Sequence, residues 1–179
     1  MDLSEISENP HRHPWEMSRA DFLMAVIDRH VDLTKNSELL DVGAGDLFFS
    51  ERIHGATHVK IDAVDQAFDE EGPRGEAIQK IKYLSQVLHK KYHAVCALDV
   101  LEHVENDQEF FDLILGMMKP GATFMITVPA FQILFSDHHH LTRSLGLILG
   151  TDALVCRFLA KLGIKIPGLS LCMVLKRKS

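Results

Sequence analysis

Apolar and polar positions along this chain change period several times, and each change marks an element. Phe22, Leu23, Val26 and Ile27 recur at helical spacing through His30, behind Ser18 as a helix cap with Asp21 three residues on. Glu38 to Val42 is a short apolar run that breaks into Asp41-Val42-Gly43-Ala44-Gly45-Asp46, so it predicts a strand entering a glycine turn. Leu47 to Ile53 reads as a helix, and His58 to Ile61 as a second strand ending at Asp62. Asp65 to Glu76 is acidic and holds Gly72, Pro73 and Gly75, which predicts a loop.

The alternation continues in the second half. Ile81 to Leu84 is the expected third strand and Ala94 to Leu98 the fourth. Asn106 with Glu109 makes a capping box for a helix through Met118, which Lys119-Pro120-Gly121 stops. Ala122 to Val128 is a β-rich strand closed by Pro129. A last helix is expected over Asp152 to Leu162, followed by apolar segments at Ile164 to Ile166 and Leu171 to Leu175.

Near-continuous apolar strands alternating with helices belong to a parallel sheet covered on both faces. The expectation is therefore an α/β fold: a single Rossmann-like, doubly wound, mostly parallel sheet with helices on both faces. One domain would span residues 1–179, with 1–17 as a lead-in. In such sheets ligands bind beyond the carboxyl ends of the strands, where the strand order reverses. Polar residues concentrate at those places here: Asp41 to Asp46, Asp62, Ser85 and Gln86, and Asp99 to His103.

Composition narrows the partners. The 179 residues are 46% hydrophobic and 25% charged, as in ordinary globular domains. With 19 Lys plus Arg against 25 Asp plus Glu, the net charge of −6 argues against a nucleic-acid partner, which usually meets a basic stripe. The only cationic cluster is Lys176, Arg177 and Lys178. No apolar stretch reaches the roughly 18 residues of a membrane span, and residues 1–9 lack the pattern of a secretory signal. Cys96, Cys156 and Cys172 are scattered among apolar neighbours, which suits free thiols in a reducing cytoplasm. No spacing resembles a zinc site, and no metal is expected.

The glycine turn is the first candidate for chemistry. Two glycines after a strand let the backbone turn tightly and approach a ligand with no Cβ in the way. The dinucleotide fingerprint wants a third glycine for helix packing, and that position is Phe48, which disfavours a pyrophosphate. Asp62 would end the second strand, where a carboxylate can accept both hydroxyls of a ribose. Together the two features fit a nucleoside ligand with a ribose and no phosphate bridge.

Three segments carry a family resemblance. Leu39-Leu40-Asp41-Val42-Gly43-Ala44-Gly45-Asp46 resembles the glycine motif of class I S-adenosylmethionine-dependent methyltransferases. His93-Ala94-Val95-Cys96-Ala97-Leu98-Asp99-Val100-Leu101-Glu102-His103-Val104 resembles their fourth-strand motif, and Met118-Lys119-Pro120-Gly121-Ala122 the turn before their fifth strand. Similarity to the small branch with quinone-biosynthesis methyltransferases runs from about His13 to Arg143. The resemblance implies S-adenosyl-L-methionine as cofactor. Its methionine portion would lie along Gly43, Ala44 and Gly45, with Asp41 holding that loop or the ammonium. Asp62, with Ala63 beside it, would take the ribose. Ser85 and Gln86 would flank adenine, where the family often has an acid, and Asp99 and Val100 would sit beside the methionine end.

Methyl transfer from a sulfonium demands mainly alignment of an acceptor, with a general base where the acceptor is a hydroxyl. His103 and the cluster Asp137-His138-His139-His140, His138 first among its histidines, are the base candidates; shaping the pocket or lying in an exposed loop is their alternative reading. Two departures from the family bear on the acceptor. Arg143 is followed by the apolar Leu145-Gly146-Leu147-Ile148-Leu149-Gly150, and the end from Gly163 is short for a final pair of strands, a shortened C-terminal edge. With Phe131, Ile133, Leu134 and Phe135 nearby, a small-molecule acceptor with an aromatic or lipid-like body is the reading. A non-catalytic cofactor-binding module and a nicotinamide-dependent oxidoreductase are the alternatives.

Overall fold

A computed structural model describes residue 12, residues 14–129 and residues 170–178. The first helix, α1 (Pro14–His30), starts four residues before the expected Ser18 cap. A proline suits a first helical turn, because its missing N–H is one of the donors a helix leaves unpaired there. Ala20, Leu23 and Ile27 form its buried stripe, whereas Phe22, counted in the apolar pattern, lies 57% exposed on the outer side.

Strand β1 (Glu38–Val42) has the predicted bounds and is buried in all but its first residue. Helix α2 (Phe48–Thr57) runs longer than predicted, and His58 ends it in the left-handed region at φ 58, its N–H bonded to the His54 carbonyl. That closure pushes β2 (Lys60–Val64) past the predicted start, so Asp62 falls in mid-strand instead of at its end. The expected loop contains a short strand, β3 (Gly72–Arg74), paired antiparallel with β4 (Ile78–Ile81). Pro73 is tolerated there because β3 is an edge strand. β4 lies three residues before the predicted third strand, and Leu84–Val87 is a 3₁₀ turn.

The remaining elements are β5 (Tyr92–Leu98), α3 (Asp107–Met117), β6 (Met118–Pro129) and β7 (Ser170–Lys176). They follow the pattern in order, but β6 starts at Met118, four residues before the expected Ala122, and runs through the expected Lys119-Pro120-Gly121 turn. Asn106 caps α3 as predicted, its side chain accepting from the Glu109 N–H. Of the end from Gly163, the described residues hold one strand, β7, while the predicted helix over 152–162 and the segment 164–166 lie outside them.

The seven strands among the described residues stand in the order β3-β4-β2-β1-β5-β6-β7, and β4, β2, β1, β5 and β6 pair in parallel. This is the mostly parallel α/β sheet that the pattern predicts. One face carries Leu39, Ile61, Ala63, Ala94, Cys96 and Met125 against Leu23 and Ile27 of α1 and Ile53 of α2. The opposite face is covered by α3, which buries Ile114 and Met117 and sets Phe111 edge-on to Phe124 at 5.8 Å. Contacts divide the chain into two compact units, Met1–Thr127 with Cys172–Ser179, and Val128–Leu171. No helix among the described residues is long and apolar enough to cross a membrane.

Candidate functional site

The chain steps outward from β1 through β2 to β4, then returns to β5 on the other side of β1. The order therefore reverses between β1 and β5, and in such sheets a ligand crevice forms at the loops beyond those two strands. Three sequence-predicted groups lie at or just past strand ends, Asp41 to Asp46 after β1, Ser85 and Gln86 after β4, and Asp99 to His103 after β5, whereas Asp62 lies in mid-strand.

The turn after β1 is built on a buried carboxylate. Asp41 is 2% exposed and accepts from the Ser50 hydroxyl of α2 at 2.5 Å. Burial raises its carboxyl to about 6; the Ser50 bond opposes this and the negative charge of Asp65 adds to it. Gly43 takes φ 72, and a Cβ there would meet Val100 Cγ2 at 2.4 Å. Only glycine fits that position, by conformation and by space. The Gly43 and Ala44 N–H groups donate to the Val64 carbonyl, which pins the turn to the end of β2. Gly45, at φ 55, has open space where its Cβ would be, and its N–H donates to Asp65 Oδ2 at 2.7 Å.

The acid beyond β2 differs from the expected one. Asp62 lies in mid-strand, where Lys90 and the Tyr92 hydroxyl both donate to its Oδ2, at 2.7 and 2.6 Å. Asp65 is the first residue past β2 and stands against the glycine turn, also accepting from the Ala67 N–H at 2.8 Å. A signal for it was present: the separation from Gly45 is 20 residues, the spacing of the ribose acid in dinucleotide folds. Ala63, beside Asp62, is fully buried in the sheet.

Beyond β4 the chain turns through Ser85 and Gln86, both exposed. Gln86 Oε1 accepts from the Tyr83 N–H at 2.8 Å, and Glu71 Oε1 accepts from the Lys82 N–H at 2.8 Å. That backbone bond, with help from Gln86, holds the Glu71 carboxyl below its usual range. An acid therefore does stand next to this turn, reached from the segment before β3 rather than from the turn itself.

At the end of β5, Asp99 adopts φ 55, a left-handed conformation that a short polar side chain tolerates. Its N–H donates to the Thr127 carbonyl, its Oδ1 accepts from the Thr127 hydroxyl at 2.9 Å, and its Oδ2 pairs with Arg19 Nη2 at 2.6 Å. Arg19 also donates to the Thr127 hydroxyl at 2.9 Å. Val100 packs on Gly43, which ties the two turns together. His103 ends the 3₁₀ turn Leu101–His103 and is exposed; His138 lies outside the described residues. Glu102 is half-buried, and burial with the nearby Asp99 charge raises its carboxyl. Arg19 was missed by sequence reasoning: it lies 80 positions from Asp99, on a helix whose pattern marks only the buried face.

The start of α2 rules against a phosphate. Asp46 Oδ1 accepts from the Phe48 N–H at 3.1 Å, so a carboxylate occupies the helix end that would bind a phosphate. Arg12 pairs with Asp46 and stacks 3.8 Å above the Phe48 ring. Open space at Gly45, acids at Asp65, Asp99 and Glu102 beyond the ends of β2 and β5, and no phosphate seat suit a cationic nucleoside.

A family model described as a methyltransferase domain matches residues 15–161. The ubiquinone biosynthesis O-methyltransferase of Rickettsia bellii (strain OSU 85-389) is 29% identical over 117 residues, covering 61% of this chain and 49% of the relative. The mitochondrial one of Arabidopsis thaliana is 29% identical over 143 residues, covering 68% of this chain and 44% of the relative. The chain thus spans about half the length of the curated relatives it matches. Among solved structures, the [4+2]-cyclase SpnF superposes with a TM-score of 0.54 at 17% identity, over 68% of this chain and 49% of that one. Coclaurine N-methyltransferase, bound to N-methylheliamine and SAH, does so with a TM-score of 0.53 at 14% identity, over 63% of this chain and 35% of that one. At such identities the superpositions speak for the fold alone.

Proposed function

The chain belongs to the class I S-adenosylmethionine-dependent methyltransferase family, and on that premise we propose that it methylates a small-molecule acceptor at the β1–β5 crevice. The observation that carries this reading is the glycine turn: Gly43 has no room for a Cβ, while the space beside Gly45 is open. Bound S-adenosyl-L-methionine supplies a methyl already activated on a sulfonium. The chain's own work is to bind and orient. Gly43, Ala44 and Gly45 would line the methionine portion over the buried Asp41. Asp65, rather than Asp62, would take the ribose hydroxyls, because it stands beyond the strand and keeps lone pairs not used by Gly45 and Ala67. Ser85 and Gln86 would flank adenine, and Asp99 and Val100 the methionine end.

The names of the curated relatives support an oxygen acceptor. Residues 131–135 and 145–150 support an aromatic or lipid-like body on it. The net charge of −6 speaks for a small molecule over a nucleic acid, and scattered cysteines for the cytoplasm.

Thermal unfolding with S-adenosylhomocysteine, and with NAD as control, tests the cofactor. A ligand at 100 times its Kd adds about 2.7 kcal/mol, a rise of about 5–10 °C for a chain of this size. Asp65→Asn should lose most of that rise. Asp62→Asn should lower the starting Tm, by breaking the Lys90 and Tyr92 bonds, and keep the rise. No rise in the wild type overturns the reading; a rise lost in Asp62→Asn and kept in Asp65→Asn overturns the assignment of the ribose acid.

A further inference from the structure

Left-handed backbone recurs three times in the five residues beyond β1: Gly43 at φ 72, Gly45 at φ 55 and Leu47 at φ 70. The two glycines take that conformation freely, having no Cβ. Leu47 does not, because its Cβ crowds the following carbonyl oxygen. Among the described residues two other side chains stand at positive φ, His58 and Asp99. His58 closes α2, and Asp99 is short, polar and held by Thr127 and Arg19. Leu47 instead opens a helix, as the N-cap of α2, and makes no side-chain bond to the helix end. A bulky apolar residue keeps such a conformation only where its surroundings over-determine it.

Those surroundings are the core and two hydrogen bonds. Leu47 is 5% exposed, in one cluster with Leu23 and Ile27 of α1 and Ile53 of α2. Its N–H donates to the Ala44 carbonyl at 3.0 Å, and its carbonyl accepts from the Glu51 N–H at 2.8 Å. The first bond closes the turn and the second opens α2. Three residues on, Ser50 is fully buried, with its hydroxyl on Asp41. The backbone at Leu47 sets the direction in which α2 leaves the turn. That direction brings Ser50 to Asp41 and the Phe48 N–H to Asp46 Oδ1.

We propose that Leu47 is a positioning residue for the cofactor turn: burial of its side chain holds the backbone left-handed and keeps the turn formed before a ligand arrives. The inference rests on the methyltransferase reading and deepens it, by naming what keeps Gly43, Ala44 and Gly45 in place. The side chain lies in the core, so it acts through the turn and not on the ligand. A glycine here would reach the same φ without strain, yet nothing would hold it there. The leucine carries strain that its burial offsets. In exchange the turn is pre-organised, and a ligand does not have to order it on binding.

Four variants separate the anchor from the backbone. Leu47→Ala keeps the strained conformation and loses the anchor, and Leu47→Gly loses both. Thermal unfolding reads the strain. At an ordinary position alanine is the more stable of these two, whereas here the glycine variant should melt about 2–4 °C above the alanine one. Calorimetry with S-adenosylhomocysteine, at a temperature where the variants are folded, reads the positioning. Leu47→Gly should bind about tenfold more weakly than the wild type, as for a turn formed about a tenth of the time. Without ligand, hydrogen exchange at the Glu51 N–H should quicken in Leu47→Gly and slow again on saturation. Leu47→Met and Leu47→Ile keep the volume and serve should both smaller variants fail to fold. The methionine should bind as the wild type does, and the isoleucine, branched at Cβ and averse to left-handed backbone, about tenfold more weakly.

A glycine variant that melts below the alanine one shows that Leu47 bears no strain, and overturns the proposal. So does a glycine variant that binds S-adenosylhomocysteine as tightly as the wild type, or an isoleucine variant that binds as tightly as the methionine one; Leu47 then only fills the core. A wild type that binds no S-adenosylhomocysteine overturns the methyltransferase reading and the positioning role with it, while the melting order of glycine and alanine still decides the strain.

Discussion

The turns beyond β1 and β5 lie side by side and solve the same backbone problem by opposite means. Beyond β1, glycines take the left-handed positions, and the aspartate before them is buried with a single hydroxyl partner. Beyond β5, the aspartate itself takes the left-handed position, half-exposed, and Thr127 and Arg19 hold it there. The first turn is made by what its residues lack, the second by what distant residues supply. A local change should therefore break the β1 turn, while the β5 turn should yield to changes made on other elements.

The largest effect expected is at Gly43. Gly43→Ala adds a Cβ 2.4 Å from Val100 Cγ2 at φ 72. Overpacking costs about 1–3 kcal/mol and the left-handed backbone about 1–2 more, so a loss of about 3–4 kcal/mol is expected in urea unfolding. Val100→Ala in the same chain removes the clash and should recover the packing share alone, leaving the conformational share. Full recovery would mean that φ at Gly43 carries no cost.

Asp41 comes next and is read through pH. Its folded carboxyl titrates at about 6 and its unfolded one at 3.8. Between those values the folded state keeps a proton that the unfolded chain has released, so stability should fall as pH rises from about 4 to 6, by about 3 kcal/mol in all. Asp41→Asn should flatten that stretch of the curve measured by urea unfolding. A wild-type stability that rises through the same window would show Asp41 to be ionised and favourably paired.

The smallest effect belongs to the β5 turn. Thr127→Val removes the hydroxyl shared by Asp99 and Arg19 and should cost about 1–2 kcal/mol. Asp99→Asn keeps a residue that accepts left-handed backbone and weakens a part-exposed ion pair, so it should cost no more than about 1 kcal/mol. If Asp99→Asn costs more than Thr127→Val, the ion pair and not the hydroxyl network sets this turn.

How far each turn was readable follows the same division. Gly43 and Gly45 announce themselves within six residues, because glycine after an apolar run has few other uses. Asn106 and Glu109 likewise declare the start of α3 by local hydrogen-bonding chemistry alone. The acid beyond β2 was misplaced for a reason three positions wide. His58 closes α2 in a left-handed conformation, the strand starts later than its apolar residues suggest, and Asp65 rather than Asp62 is the first residue past it, bonded to the Gly45 N–H. β3 was hidden because Gly72 and Pro73 read as turn residues, and only pairing with β4 makes them a strand.

The sequence by itself determined the order of elements, the parallel sheet, the glycine turn and the capped start of α3. Each of these is set by residues within a few positions of one another, through periodicity, backbone freedom or capping. Tertiary structure alone decided which carboxylate stands against the glycine turn and that Arg19 reaches Asp99 and Thr127. It also left Arg19 Nε and Glu102 Oε2 without partners among the described residues. Those outcomes depend on strand register and on contacts between residues 80 or more positions apart, and no local pattern in the chain encodes such a meeting.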